Sequence, residues 1–122
     1  MKIIVDVPSQ TLFLWGDDGV LLKQYSISTG KKGCGEQKGS EQTPRGQHIV
    51  RAKIGDGAPL YSVFVGRRAT GEIYSPALGA QYPQRDWILS RILWLSGCEV
   101  GHNRLGNVDT MQRYIYIHGT PD

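Results

Sequence analysis

Two β-prone runs, Thr11–Trp15 and Val20–Ser28, are separated by little more than Asp17-Asp18-Gly19, and this arrangement limits the fold more than any other local feature. Asp-Gly supplies the positive φ that a tight hairpin turn needs, so the two runs are expected to pair antiparallel. Ahead of them, Lys2–Val7 alternates, with Ile3, Val5 and Val7 on one face and Ile4 and Asp6 on the other, which is the period of a strand. Pro8-Ser9-Gln10 provides the intervening turn. The chain therefore opens with three short strands joined by turns.

The same rhythm continues. Sixteen glycines and six prolines fall between short apolar runs, as turns joining strands should. Gly30–Gln42 holds four glycines, three lysines and two glutamates without a hydrophobic run, and is expected to be a mobile loop. Thr43-Pro44-Arg45-Gly46 closes it before a strand through His48-Ile49-Val50, and Tyr61–Val65 and Glu72–Tyr74 are further strand candidates. Gln84–Leu95 is ambiguous: Trp87, Ile88, Arg91, Ile92 and Leu95 fit helical spacing, yet Arg91–Leu95 also reads as a buried strand. The fold class expected is all-β, a sandwich or barrel-like domain with long loops and at most one short helix.

At 122 residues the chain makes one domain with one core. A net charge of +3 comes from scattered residues and not from a basic stripe with interleaved aromatics, so no nucleic-acid partner is expected. There is no membrane span, because no apolar run approaches eighteen residues, and the start is too quickly polar for a signal peptide. Cys34 and Cys98 allow one disulfide or two free thiols. His48, His102, His118 and these cysteines lack the close ligand pairs of a zinc site, so neither a metal nor a cofactor is expected.

The chemistry-bearing residues gather near the end of the sequence. Arg91-Ile92-Leu93-Trp94-Leu95-Ser96-Gly97, Asn103-Arg104-Leu105-Gly106-Asn107-Val108-Asp109-Thr110 and Arg113-Tyr114-Ile115-Tyr116-Ile117-His118-Gly119-Thr120 follow one another. Alternation in the last of these sets Tyr114, Tyr116 and His118 on one face, and Gly119 leaves room beside the imidazole. Imidazole titrates near neutrality, so a histidine at a strand end beside a cleft can take a proton from a thiol. Asn103, Gly106 and Asp109 are expected to pin their loop, since Asn and Asp side chains bond neighbouring backbone.

Together these segments resemble the catalytic domain of L,D-transpeptidases, the cysteine acyltransferases that cross-link bacterial peptidoglycan. The likeness covers nearly the whole chain and is most specific over Arg91–Asp122. It implies that Arg91–Leu95 is a strand paired with Arg113–His118, and that Ser96–Gln112 is a long excursion near the active site. It makes His118 the general base. By the same likeness Arg91, Arg113, Tyr116 and Gly119 are substrate-binding candidates, with Arg104 a further arginine suited to a carboxylate. Ser28-Thr29-Gly30 and Thr43-Pro44-Arg45-Gly46 match family turns and are expected to act as scaffolding.

The reaction implied is two-step acyl transfer. A thiolate attacks the carbonyl between the third and fourth residues of a stem tetrapeptide, D-alanine leaves, and an amine of a second stem takes the thioester. In the family the histidine strand is followed by Ser-His-Gly-Cys, which supplies the nucleophile. These 122 residues contain no such segment. Cys98, in Ser96-Gly97-Cys98, precedes His118 and is expected to be a buried or bystander thiol; Cys34, between two glycines, is expected to be exposed and oxidisable. The chain thus reads as one L,D-transpeptidase-like domain, 1–122, cut off at its C-terminal end before the nucleophile. Three functions follow from that: part of a peptidoglycan cross-linking enzyme, a noncatalytic stem-peptide binding module, or a fragment that needs a complementing chain. The family implies a periplasmic or cell-wall location, and a missing segment implies an exposed apolar edge, so that the chain either pairs with a second copy or is marginally stable.

Overall fold

The computed structural model describes residues 1–121. Its elements are β1 (Lys2–Asp6), β2 (Thr11–Trp15), β3 (Leu21–Ser26), β4 (His48–Ile54), β5 (Ser62–Val65), β6 (Arg68–Ile73), α1 (Pro76–Gln81), β7 (Ile88–Gly97), a 3-10 turn at Gly106–Val108, and β8 (Tyr116–Gly119). The architecture is all-β, in two sheets, with one six-residue helix. No helix among the described residues is long and apolar enough to cross a membrane.

The first sheet is a meander, β1-β2-β3, which contains the expected hairpin and adds β1 antiparallel to β2, with Lys2 opposite Trp15 and Asp6 opposite Thr11. Its hairpin turn closes through the Gly19 amide on the Gly16 carbonyl (3.1 Å), and Gly19 takes φ +80°, which a side chain would resist. Only Leu12 of this sheet is fully buried, and β3 is exposed along its whole length.

The second sheet is built around β7. Leu89 pairs with Val63 of β5 and Gly119 of β8, while Ile92 pairs with Ile54 of β4 and His118 of β8. So β8 runs along one edge of β7, and β4 and β5 share the other. Val63, Phe64, Leu89 and Ile92 form the buried core here, each at most 3% exposed. This resolves the ambiguous stretch in favour of a strand: partners on both edges satisfy its backbone, which no local spacing could reveal. Ser90 sits at φ +67° where the register shifts, and its hydroxyl accepts the Tyr61 amide (2.9 Å). That bulge turns Arg91 outward.

The short helix has its own local cause. Ser75 caps it by accepting the Leu78 amide (3.2 Å), and Pro76 stands in the first turn, where it gives up no hydrogen bond.

Candidate active site

A cleft of ≈ 1100 Å³ opens between the two sheets. One wall carries Ile3, Val5 and Val7, which alternation put on one face of the first strand, together with Leu12 of β2. The opposite wall comes from β4, β7 and β8 and includes Val50, Ile88 and Leu95.

His118 lines this cleft from β8 and is half-buried. Its Nδ1 lies 2.8 Å from the Gly119 carbonyl oxygen, which can only accept, so Nδ1 carries the hydrogen, and in the neutral ring Nε2 keeps its lone pair. Gly119 matters sterically as well. A Cβ there would stand 2.7 Å from the Leu89 carbonyl, so glycine lets β8 approach β7 closely.

Tyr116 also lines the cleft, and its hydroxyl accepts from Arg67 Nη1 (3.2 Å). The Arg67 guanidinium lies over the Trp94 ring (5.1 Å) and the Tyr114 ring (4.8 Å). Tyr114 does not share the strand face of Tyr116 and His118 as alternation suggested. It precedes β8 in a turn, at φ +57°, with its amide on the Met111 carbonyl (3.0 Å). Nothing in the sequence singled out Arg67, which stood only as half of an Arg-Arg pair.

The arginines divide. Arg91 is not brought to the cleft: its Nη1 donates to the carbonyls of Ala58 (2.9 Å) and Ser90 (2.6 Å), bracing the β4–β5 connection. Arg104 is exposed on the excursion and also off the cleft. Arg113 does line the cleft, but its guanidinium donates to Gly35 O (3.3 Å), Ser40 Oγ (3.3 Å) and Gln42 O (2.7 Å). It therefore anchors the glycine-rich loop expected to be mobile. Burial pulls the Arg113 pKa below its ordinary value.

That loop and the excursion after β7 are laced together. Asn103, fully buried, accepts the Glu99 amide at Oδ1 (2.9 Å) and donates from Nδ2 to Arg45 O and Gln47 O (both 3.0 Å). Lys38 N donates to Asn107 O (2.6 Å), and Gln47 N to Glu99 Oε2 (2.8 Å). Asp109 accepts the amides of Leu105 (2.8 Å) and Gln112 (2.9 Å), as its residue type foretold. Burial raises the Asp109 carboxyl, and backbone donors outweigh it, leaving the pKa below the ordinary value. Glu36 is held down to about 2 by its hydrogen bonds to Arg45.

Neither thiol reaches His118. Both cysteines are free and neither lines the cleft. Cys98 is exposed, and Cys34, expected to be exposed, is half-buried beside Thr43.

Comparison with known proteins gives one family. The YkuD family model, described as the L,D-transpeptidase catalytic domain, matches residues 1–122. No curated protein and no solved structure matches the chain.

Proposed function

Because the chain belongs to the YkuD family of L,D-transpeptidase catalytic domains, we propose that its cleft serves acyl transfer on peptidoglycan stem peptides, with His118 as the base. The observation that carries this reading is the Nδ1 hydrogen bond to Gly119 O, which leaves Nε2 of a cleft-lining histidine on a paired strand free to accept. In the first half-reaction Nε2 takes the thiol proton. The thiolate bonds to the carbonyl carbon after the third stem residue, and the peptide bond to D-alanine breaks. His118 returns the proton to the departing amine. In the second half-reaction Nε2 takes a proton from an acceptor amine, which attacks the thioester and releases the thiol. The Gly119 carbonyl, facing Nδ1–H, steadies the imidazolium formed in each half.

The thiol is the one component that the described residues do not bring to His118. In this proposal it comes from a Ser-His-Gly-Cys segment, which these 122 residues do not contain. That segment would lie on the same polypeptide or on a second chain that completes the cleft. The same observation favours a second reading, in which residues 1–122 bind stem peptides without acylation, as a noncatalytic module.

Titration of the chain with a stem tetrapeptide, followed by the imidazole resonances of His118, tests the shared part of both readings. Saturable shifts in the His118 ring are expected. Shifts confined to other residues, or none at millimolar peptide, would remove the cleft as a stem-peptide site. A cysteine-bearing segment supplied to the chain then separates the readings, since only the first gives a thioester.

A further inference from the structure

We infer that the loop end of the cleft is a subsite for a peptide carboxylate, formed by Lys31, Lys38 and Arg113 with the hydroxyls of Thr29 and Thr43. The inference rests on reading the cleft as a peptide site. All five residues line it.

The charges around the loop do not cancel. Glu36 is taken by Arg45, through Nε and Nη2 at 3.0 Å each, and Glu41 by Lys32 at 2.8 Å. Lys31, Lys38 and Arg113 make no ion pair among the described residues. Asp86, the other carboxylate on the cleft, stands just before the far end of β7, whose ten residues span about 30 Å.

Arg113 is the anchor of this argument. Its three acceptors are two carbonyls and one hydroxyl, all neutral, and the carboxylate whose charge acts on it, Glu36, is already held by Arg45. A partly buried cation that shares its carboxylate with another arginine is incompletely compensated, and an incoming anion relieves that cost.

The hydroxyls supply direction. Thr43 Oγ1 accepts the Gly30 amide (2.7 Å) and Thr29 Oγ1 accepts Gln10 Nε2 (2.9 Å). Neither hydroxyl donates to any described residue, so two O–H donors remain beside the cations. Gln42, whose carbonyl Arg113 holds, precedes Thr43, and Thr43 joins Gly30 between Thr29 and Lys31, so the groups are contiguous.

A carboxylate on a peptide fits better than a free inorganic anion because of what adjoins the subsite. The rest of the cleft is walled by Ile3, Val5, Leu95 and Ile117. β8 pairs only with β7 among the described residues, leaving its second edge open to an extended chain.

Calorimetric titration of the 122-residue chain tests this, using a stem tetrapeptide with free carboxylates and the same peptide with every carboxylate amidated. The free acid is expected to bind at least tenfold tighter, and only its affinity should fall as salt rises from 50 to 500 mM, magnitudes on the order expected for a multi-cation site. The double variant Lys31→Gln, Lys38→Gln is expected to remove most of that advantage while leaving the amide's affinity unchanged. Equal binding of acid and amide overturns the subsite and leaves the peptide reading of the cleft standing. Binding of neither overturns both. Sodium sulfate alone binding as tightly as the free-acid peptide also overturns it, since the site would then select charge without peptide.

Discussion

Thr110 donates its hydroxyl to Nε2 of His48 at 2.9 Å, while Nδ1 of the same ring donates to the Gly46 carbonyl at 3.0 Å. One neutral imidazole thus ties the start of β4 to the end of the excursion. Protonation would put a hydrogen on Nε2 and turn the hydroxyl away. Burial lowers the His48 pKa from its usual 6.5, the carbonyl of Gly46 and the charges of Glu99 and Glu36 oppose that, and His102 adds to it. The unfolded chain therefore takes up a proton at this residue before the folded chain does, and the stability it contributes above pH 6.5 is lost as pH falls below that value. Urea midpoints of the wild-type chain are expected to drop between pH 7 and pH 5, and those of His48→Gln to stay nearly level. A second loss belongs lower, as pH falls from 4.5 towards 2 and Glu36 gives up its hydrogen bonds to Arg45. Parallel slopes for wild type and His48→Gln would assign the first loss elsewhere.

Asn103 is the strongest single tie between the loop and the excursion. Asn103→Ala leaves the Arg45 and Gln47 carbonyls and the Glu99 amide without their side-chain partner in a buried place. A loss of about 3 kcal/mol in chemical denaturation is expected. Asn103→Asp should cost more, because it sets a carboxylate against two carbonyls and beside Glu99 Oε2, 3.5 Å from the present Nδ2. A loss under about 1 kcal/mol for either variant would mean that water replaces these bonds.

Gly119→Ala tests the seating of His118. The added methyl would meet the Leu89 carbonyl at 2.7 Å, a backbone atom that cannot swing aside. We expect about 2 kcal/mol of destabilisation and a shift in the His118 ring signals, as β8 is pushed off β7. Gly57→Ala is the control. It has φ +79° and open space, so about 1 kcal/mol of backbone strain is expected, with His118 unmoved. Equal effects at both positions would argue against the close approach.

Local signals sufficed where local physics decides. The Thr11–Trp15 strand was legible to its ends, because its neighbours are turn residues whose φ preferences leave little choice. Asp109 was legible because its bonds run to backbone three and four residues away. Ser75-Pro76 carried a readable cap signal that was passed over amid the glycines around it. Other features depend on partners far along the chain. Arg113 finds acceptors 71 to 78 residues away, and Arg67 finds Tyr116 49 residues away, distances at which residue type says nothing about contact. Positive φ at Ser90 and Tyr114 is imposed by the bulge and turn around them, so alternation ran on too far and placed Tyr114 on a strand face. His118 was found by its surrounding motif, whereas its bond to Gly119 needed the fold.

The thiols give a direct prediction. Neither Cys34 nor Cys98 lines the cleft that holds His118, so no base activates them there. Intact-protein mass spectrometry of the 122-residue chain after exposure to a carbapenem is expected to show no adduct. An adduct mapped to either cysteine would mean that the nucleophile lies within these residues and that the geometry around His118 has to be reread. A general alkylating reagent should still label the exposed Cys98 faster than the half-buried Cys34.

The surface itself predicts association. The chain exposes 8288 Å², where a folded monomer of this mass exposes about 6,500 Å². A specific interface of standard size removes about 800 Å² from each partner, so the excess, about 1,800 Å² on one chain, is more than one such contact would cover. Much of it is apolar and lies on strands: Leu21, Leu22 and Tyr25 on β3 are 40%, 50% and 49% exposed, and Ile4 and Val5 on β1 are 41% and 40%. Burying such a surface stabilises the folded chain by mass action, so both the average mass in sedimentation and the melting midpoint are expected to rise with protein concentration. Leu22→Lys should weaken that rise by charging the centre of the exposed strand, with little effect on the fold, since half of Leu22 already meets water. A monomer at every concentration with a high, concentration-independent midpoint would sink the idea, and would require the open cleft and bare strand to be stable without any covering partner.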